Sequence, residues 1–293
     1  MKHIKFDTPY EKPVALALGF FDCMHRGHRR ILEVARQKAA ELGAESALLT
    51  FENNYFPLVG RQDKLVYTFE ERKTILEKLS LDVLVSARFD AGFMRMSSDE
   101  FLLKLAGFNL KSVVCGFDYR FGSDKADAYR MQAFCEKRGI DFHVQQAVVH
   151  DGIKISTTLV REALEKGRVD LANFYLADRY FISGVVRTGR RVGHLIGFPT
   201  ANIAVSPEKL LPPGVFGGVC DIDGSQYKTL INIGGQPTFG SEQTAVEAHI
   251  LGYQGDLYGK LLTVYLDKFL RPIQKFESEA QLAAQINKDI KNL

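Results

Sequence analysis

The sequence predicts an α/β protein with a doubly wound parallel sheet first and an antiparallel β-barrel second, the barrel followed by a terminal helix. Three observations carry this. Strand-like and helix-like patterns alternate as far as about Asp178. Beyond it, strand-like segments follow one another across Gly- and Pro-rich loops with no helix between them. The chain also has 293 residues, 46% of them hydrophobic, which is long for one domain and about right for two. The expected division is 1–178 and 179–293.

The elements follow in order. Residues 14–19 form a short apolar run ending in Gly19, a buried strand. Residues 29–42 carry Ile31, Leu32, Ala35, Ala39 and Leu42 at helical spacing and stop at Gly43. Residues 46–51 read as strand. Thr68 with Glu71 is a capping box opening a helix through Leu79, and Ser97 with Glu100 opens another. Strands are expected at 82–86, 112–116 and 141–146, with a helix at 128–138. Such alternation gives a parallel sheet covered on both faces, which binds ligands outside the carboxyl ends of its strands. The join falls in a helical stretch between Thr158 and Asp178. Strands are then expected at 180–187, 215–222, 227–233, 246–251 and 262–269. Ser278 and Gln281 cap a last helix with Leu282, Ile286 and Ile290 on one stripe.

Composition excludes several classes. The 38 basic and 35 acidic residues leave a net charge of +3, too little for a general nucleic-acid or membrane-surface binder. No apolar run approaches the roughly 18 to 20 residues of a membrane span. The start, Met1-Lys2-His3-Ile4-Lys5, lacks the apolar core of an export signal, so a cytoplasmic protein is expected. Cys23, Cys115, Cys135 and Cys220 are scattered, as buried thiols of a reducing compartment are.

Two stretches carry chemistry in the first half. Gly19-Phe20-Phe21-Asp22-Cys23-Met24-His25-Arg26-Gly27-His28 lies where the first strand hands over to the first helix. A helix start favours an anion, the imidazoles of His25 and His28 can donate to a phosphate, and Gly27 allows close approach. The same spacing also suits a metal. Ile155-Ser156-Thr157-Thr158-Leu159-Val160-Arg161 sets hydroxyls before a helix that carries Arg161, a set for binding phosphates that is also compatible with an ordinary helix cap. With both present, the chain resembles the HxGH nucleotidyltransferases, which implies nucleotidyl transfer from a nucleoside triphosphate with release of pyrophosphate.

In the second half, Thr188-Gly189-Arg190-Arg191-Val192-Gly193-His194-Leu195-Ile196-Gly197-Phe198-Pro199-Thr200-Ala201-Asn202 is glycine-rich and basic but is not a Walker loop. Thr200 and Asn202 offer hard oxygen ligands suited to Mg²⁺. Alternation places Val246, Ala248 and Ile250 on one strand face and Glu247 on the other, either as a working carboxylate or in a surface ion pair. With Asn232-Ile233-Gly234-Gly235-Gln236-Pro237-Thr238-Phe239 and Asp256-Leu257-Tyr258-Gly259-Lys260, these segments resemble the riboflavin kinase domain.

The order of the two halves resembles the bacterial bifunctional riboflavin kinase/FAD synthetase family, and Gly116-Phe117-Asp118-Tyr119-Arg120-Phe121-Gly122 extends that resemblance. It implies phosphorylation of riboflavin to FMN and adenylylation of FMN to FAD, with ATP as co-substrate, Mg²⁺ as cofactor and small flavins as partners. Glu247 would be the general base of the kinase, His25 and His28 the groups stabilising the α-phosphate, and Thr200 and Asn202 the Mg–ATP ligands. Gly19, Phe21, Asp22, Gly27, Asp118, Ser156, Thr157 and Arg161 would bind substrate in the first domain. Gly193, Gly197, Pro199, Asn232 and Arg271 would do so in the second, with Arg271 at the flavin or its closing loop. The first half departs from the family pattern at Phe20, Cys23, Asn53, Asn54 and Leu159, so a narrower reading keeps the kinase alone.

Overall fold

The structure, a computed structural model, describes residues 1–188, 197–236 and 241–293. It divides into two compact units, Met1–Thr157 and Thr158–Leu293.

The first unit is built on six parallel strands: β1 (Lys2–Lys5), β2 (Tyr10–Leu18), β3 (Glu45–Phe51), β4 (Val83–Ala87), β5 (Phe108–Gly116) and β6 (Asp141–Gln145). Their order is β1-β4-β3-β2-β5-β6. The chain winds outward from β2 in one direction and resumes at β5 in the other, so a crevice opens between the ends of β2 and β5. β2 begins four residues before the expected strand. Pro13 within it has no N–H to give, and the β2–β5 register slips between Tyr10 and Val14. β1 is short, polar and at the sheet edge, which hides it from periodicity.

Alternation along β2 divides the two cores. Val14, Leu16 and Leu18 share one with Phe101, Leu102 and Leu105 of α4 (Ser98–Leu105) and with Met131 and Phe134 of α5 (Ala128–Glu136). Ala15 and Ala17 face the other way, where α1 (Arg26–Leu42) lays buried Ile31, Leu32, Ala35 and Ala39 on β2, β3 and β5. The small alanines let that helix come close. α1 starts three residues before the expected helix because His25 caps it. α2 (Phe69–Lys78) has the predicted capping box, and α3 (Ala91–Arg95) is a short addition. A two-stranded hairpin, β7 (Val149–His150) and β8 (Ile153–Lys154), leads to Ser156.

The stretch between the predicted domains forms α6 (Thr157–Glu165) and α7 (Val169–Leu176). α7 packs on β9 (Tyr180–Arg187) and β14 (Leu261–Arg271), where Asn173 Nδ2 donates to the Leu266 carbonyl at 2.8 Å. That packing groups α7 with the second unit, so the units meet at Thr157/Thr158, ahead of the expected 178/179.

The second unit is a closed six-stranded barrel of order β10-β13-β12-β11-β14-β9. The remaining strands are β10 (Ala201–Ala204), β11 (Gly214–Ile222), β12 (Ser225–Gln236) and β13 (Ser241–Ile250). Closure removes free edges. α8 (Glu279–Lys291) returns to the barrel wall, where Asp289 accepts from Arg271 and the Leu293 carbonyl accepts from Lys228 Nζ at 3.3 Å.

Candidate active sites

In the first unit the loop from β2 to α1 folds tightly. Phe21 and Met24 hold φ of 54° and 51°, a left-handed conformation uncommon for such side chains and typical of functional turns. Gly19 is required there. A Cβ on it would stand 2.4 Å from Cε2 and 2.8 Å from Cδ2 of the Phe21 ring. Gly19→Ala is therefore expected to destabilise the first unit by about 1–3 kcal/mol and to slow FAD formation while FMN formation continues. Thermal unfolding and flavin chromatography on the variant check both.

His25 is the N-cap of α1, and its Nδ1 accepts from the His28 main-chain N–H at 3.2 Å. The proton of neutral His25 is thus on Nε2, free to be donated. The two imidazoles stack with centroids 3.7 Å apart, and Phe21 lies 4.6 Å from His28. A Cβ on Gly27 would reach within 2.9 Å of the His25 ring, so this position must stay small. Thr157 Oγ1 donates to buried Asp22 at 3.4 Å and lies 3.3 Å from Cys23 Sγ, which is 4.0 Å from His28 Nδ1. The loop and the start of the second motif therefore form one cluster, with Ser156 next in the chain. Arg161 follows one turn along α6 and is buried.

Cys23, His25 and His28 bring possible metal-ligand atoms within 4.8 Å of one another. Ring stacking decides against a shared ion in this arrangement. An ion about 2 Å from a nitrogen of each imidazole would lie well out of both ring planes, where neither lone pair points.

Burial, reinforced by the charge of Lys154, lowers His25 to about 4. It also holds His28 well below the usual histidine range, with His25, Arg72 and Lys154 adding to the effect. Both rings are neutral donors at pH 7. For His25 the unfolded chain binds the proton near 6.5 and the folded chain near 4. Between those values the unfolded state holds more protons, so stability present above pH 6.5 is lost as the pH falls toward 4. The loss is on the order of 3 kcal/mol. His25→Asn, which preserves a good N-cap, is expected to flatten this dependence when hydrogen exchange of the α1 amides is followed from pH 7 to pH 4.

Beside the cluster lies a cavity of about 480 Å³ at the ends of β2, β3 and β5, where the winding reverses. Gly19, Phe21, His28 and Asp118 line it, as do Phe20, Phe51, Tyr55, Phe89 and Phe93. The aromatics interlock: Phe20 meets Tyr55 at 4.7 Å, and Phe51 meets Phe89 at 4.9 Å and Phe93 at 5.0 Å. Sequence reading picks out Phe20 but does not join it with Phe51, Tyr55, Phe89 and Phe93 in one wall, because these come from separate segments. It also missed Lys154, whose ammonium pairs with Asp118 at 2.5 Å and lies 4.5 Å from the Phe117 ring. Its place just before Ile155-Ser156-Thr157 was the available signal.

In the barrel, strand register assembles the second site. Asn202 of β10 stands opposite Glu247 of β13, which stands opposite Asn232 of β12. Asn232 Nδ2 donates to Glu247 Oε2 at 3.2 Å. The neighbouring row, Ile203, Val246 and Ile233, is buried, as the alternation around Glu247 required. Thr200 directly precedes β10. His249 bonds the Pro199 carbonyl at 2.8 Å and meets Phe198 edge-on, which holds this segment against β13. Gly197, at φ +86°, turns the chain into it. Arg271 lies in the same transverse register through Val215. Its Nε donates to Asp289 at 2.8 Å and one terminal nitrogen to the Pro272 carbonyl at 3.2 Å, so the guanidinium ties α8 to the barrel. Gly193 lies outside the described residues.

Comparison with known proteins follows the same division. Residues 7–159 match the FAD synthetase family and residues 176–293 the riboflavin kinase family. A bifunctional riboflavin kinase/FMN adenylyltransferase of Bacillus subtilis is 32% identical over 283 residues, covering 94% of this chain and 89% of the relative. The enzyme of that name from Listeria monocytogenes is 32% identical over 284 residues, with the same coverage. A Streptococcus pneumoniae crystal structure named as a macrolide-efflux protein matches with a TM-score of 0.86 at 27% identity, covering 99% of this chain and 98% of its own. Among the described residues no helix is long and apolar enough to cross a membrane. Two family matches in the expected order, and relatives aligned over nearly the whole length, place this chain in the bifunctional riboflavin kinase/FMN adenylyltransferase family.

Proposed function

We propose that the barrel phosphorylates riboflavin to FMN and that the first unit joins FMN to AMP to make FAD, with one ATP consumed in each step. The observation that carries this is that each unit gathers its own set. The Asn202–Glu247–Asn232 row occupies one. The His25–His28–Thr157 cluster beside an aromatic cavity occupies the other.

In the kinase step Glu247 takes the proton of the ribityl 5′-hydroxyl as that oxygen attacks the γ-phosphorus of ATP and ADP leaves. Asn232 keeps the carboxylate in position. Asn202, opposite that carboxylate, and Thr200, which directly precedes β10, offer oxygen ligands of the kind that fits Mg²⁺. Bound there, the ion would neutralise phosphate charge. Gly193, Gly197 and Pro199 belong to the glycine-rich stretch of sequence that would receive the triphosphate, and Arg271 supports flavin binding through its hold on α8.

In the adenylyl step a phosphate oxygen of FMN attacks the α-phosphorus of ATP, the bond to the β-phosphate breaks, and pyrophosphate leaves. The His25 Nε2 proton and the His28 ring supply donors to the α-phosphate, whose charge grows in the transition state. Ser156 and Thr157 hold the leaving pyrophosphate. The cavity, within the roughly 300–1,000 Å³ usual for small-molecule sites, takes the flavin ring against its aromatic wall. Four buried cysteines outside any disulfide agree with work in a reducing cytoplasm.

The test supplies ligand-stripped protein with riboflavin, ATP and Mg²⁺ and separates the flavins over time. FMN followed by FAD is the expected course. FMN that is never converted, even when added directly, would reduce the reading to a kinase.

A further inference from the structure

Arg72 is one of the largest fully buried side chains in the protein, yet its hydrogen bonds go to no carboxylate. It projects from the first turn of α2 beneath the ends of β2 and β3. One terminal nitrogen donates to the Phe20 carbonyl and to Thr50 Oγ1, both at 2.9 Å, and the other to the Phe51 carbonyl at 2.7 Å. Thr50 Oγ1 itself donates to the Phe20 carbonyl at 2.5 Å. Nε has no partner. A buried cation without a directly bonded anion is costly, and an apolar side chain of similar length would fill the space more cheaply. Its use lies in what it holds.

Phe20 and Phe51 form adjoining parts of the cavity wall, and the next residue after Phe20 starts the left-handed turn that leads to His25 and His28. The planar guanidinium bridges two segments beyond the Gly19 N–H bond to the Leu49 carbonyl at 3.3 Å, with its Cζ 5.1 Å from the Phe20 ring centroid. It thereby sets where the aromatic wall stands relative to the histidine loop. The charge also reaches Asp22 and His28 without contacting either.

We propose that Arg72 is a positioning residue for adenylyl transfer: by clamping the Phe20 and Phe51 main chain it fixes the distance between the flavin-binding wall and the phosphate-binding loop. This rests on the adenylyltransferase reading of the first unit. Arg72→Met retains length and removes every bond. Arg72→Lys retains the charge with a single nitrogen that cannot bridge all three acceptors.

In the full-length chain, Arg72→Met is expected to raise KM for FMN in FAD formation roughly 10- to 30-fold and to lower kcat further, as misplacement of bound substrate does. Arg72→Lys should recover part of the KM, and the rate of riboflavin phosphorylation should stay within about twofold of wild type. A role in folding alone would lower the amount of active enzyme and leave KM where it was. If Arg72→Met does not fold, Arg72→Lys and Thr50→Val decide, each expected to raise KM for FMN several-fold. Unchanged KM in the variants that fold overturns the proposal. A wild-type chain that forms no FAD would overturn the adenylyltransferase reading together with the proposal, whereas FAD from wild type with unaltered variant KM overturns the proposal alone.

Discussion

Glu247→Gln is expected to reduce FMN formation by about 10²- to 10⁴-fold, the range for loss of a general base, while added FMN is still converted to FAD at the wild-type rate. The substitution preserves shape, and the amide oxygen of Gln can still accept from Asn232 Nδ2, which now bonds Glu247 Oε2 at 3.2 Å. The buried row of Ile203, Val246 and Ile233 behind it is untouched, so the barrel should unfold as wild type does. What disappears is basicity at one position. Separate assays with riboflavin and with FMN check the prediction, and FMN production near the wild-type rate would remove Glu247 from the role of base.

His28→Ala should give the opposite pattern, with FAD formation lowered by about 10²- to 10³-fold, the usual effect of removing one donor to developing charge, and riboflavin phosphorylation unchanged. The ring stacks on His25 and against Phe21, so its loss also frees the neighbour that caps α1. His28→Asn separates the two effects, since it leaves a donor in a smaller side chain. Recovery of only part of the rate by Asn is expected. Equal FAD formation by wild type and His28→Ala would show that the phosphate is held elsewhere.

Both predictions concern residues that stood out before any fold was known, and the reason is local. His25, Gly27 and His28 lie within four positions of one another, so a helix start suffices to bring them together. Glu247 was legible through alternation, because a strand wall with an apolar interior leaves its odd residue on the outer face. Arg72, Lys154 and the aromatic wall were not legible in this way. Phe20, Phe51 and Phe89 sit on three segments more than thirty residues apart, and each alone reads as ordinary core. β10 escaped for a related reason: its four residues, Ala201–Ala204, are too few for a period.

By itself the sequence determined the alternating half and the all-strand half, the helix caps at Thr68, Ser97 and Ser278, and the two contiguous motifs. All of these follow from short-range spacing, which the chain carries with it whether folded or not. Only the tertiary structure decided that α7 packs with the barrel, that Arg271 is committed to Asp289, and that stacked imidazoles hold no common metal geometry. It also decided that Asn202, Glu247 and Asn232 form one row and that a buried guanidinium joins Phe20 to Phe51. Those outcomes depend on strand order, register and ring orientation, which arise when distant segments compete for the same space and the same hydrogen-bonding groups.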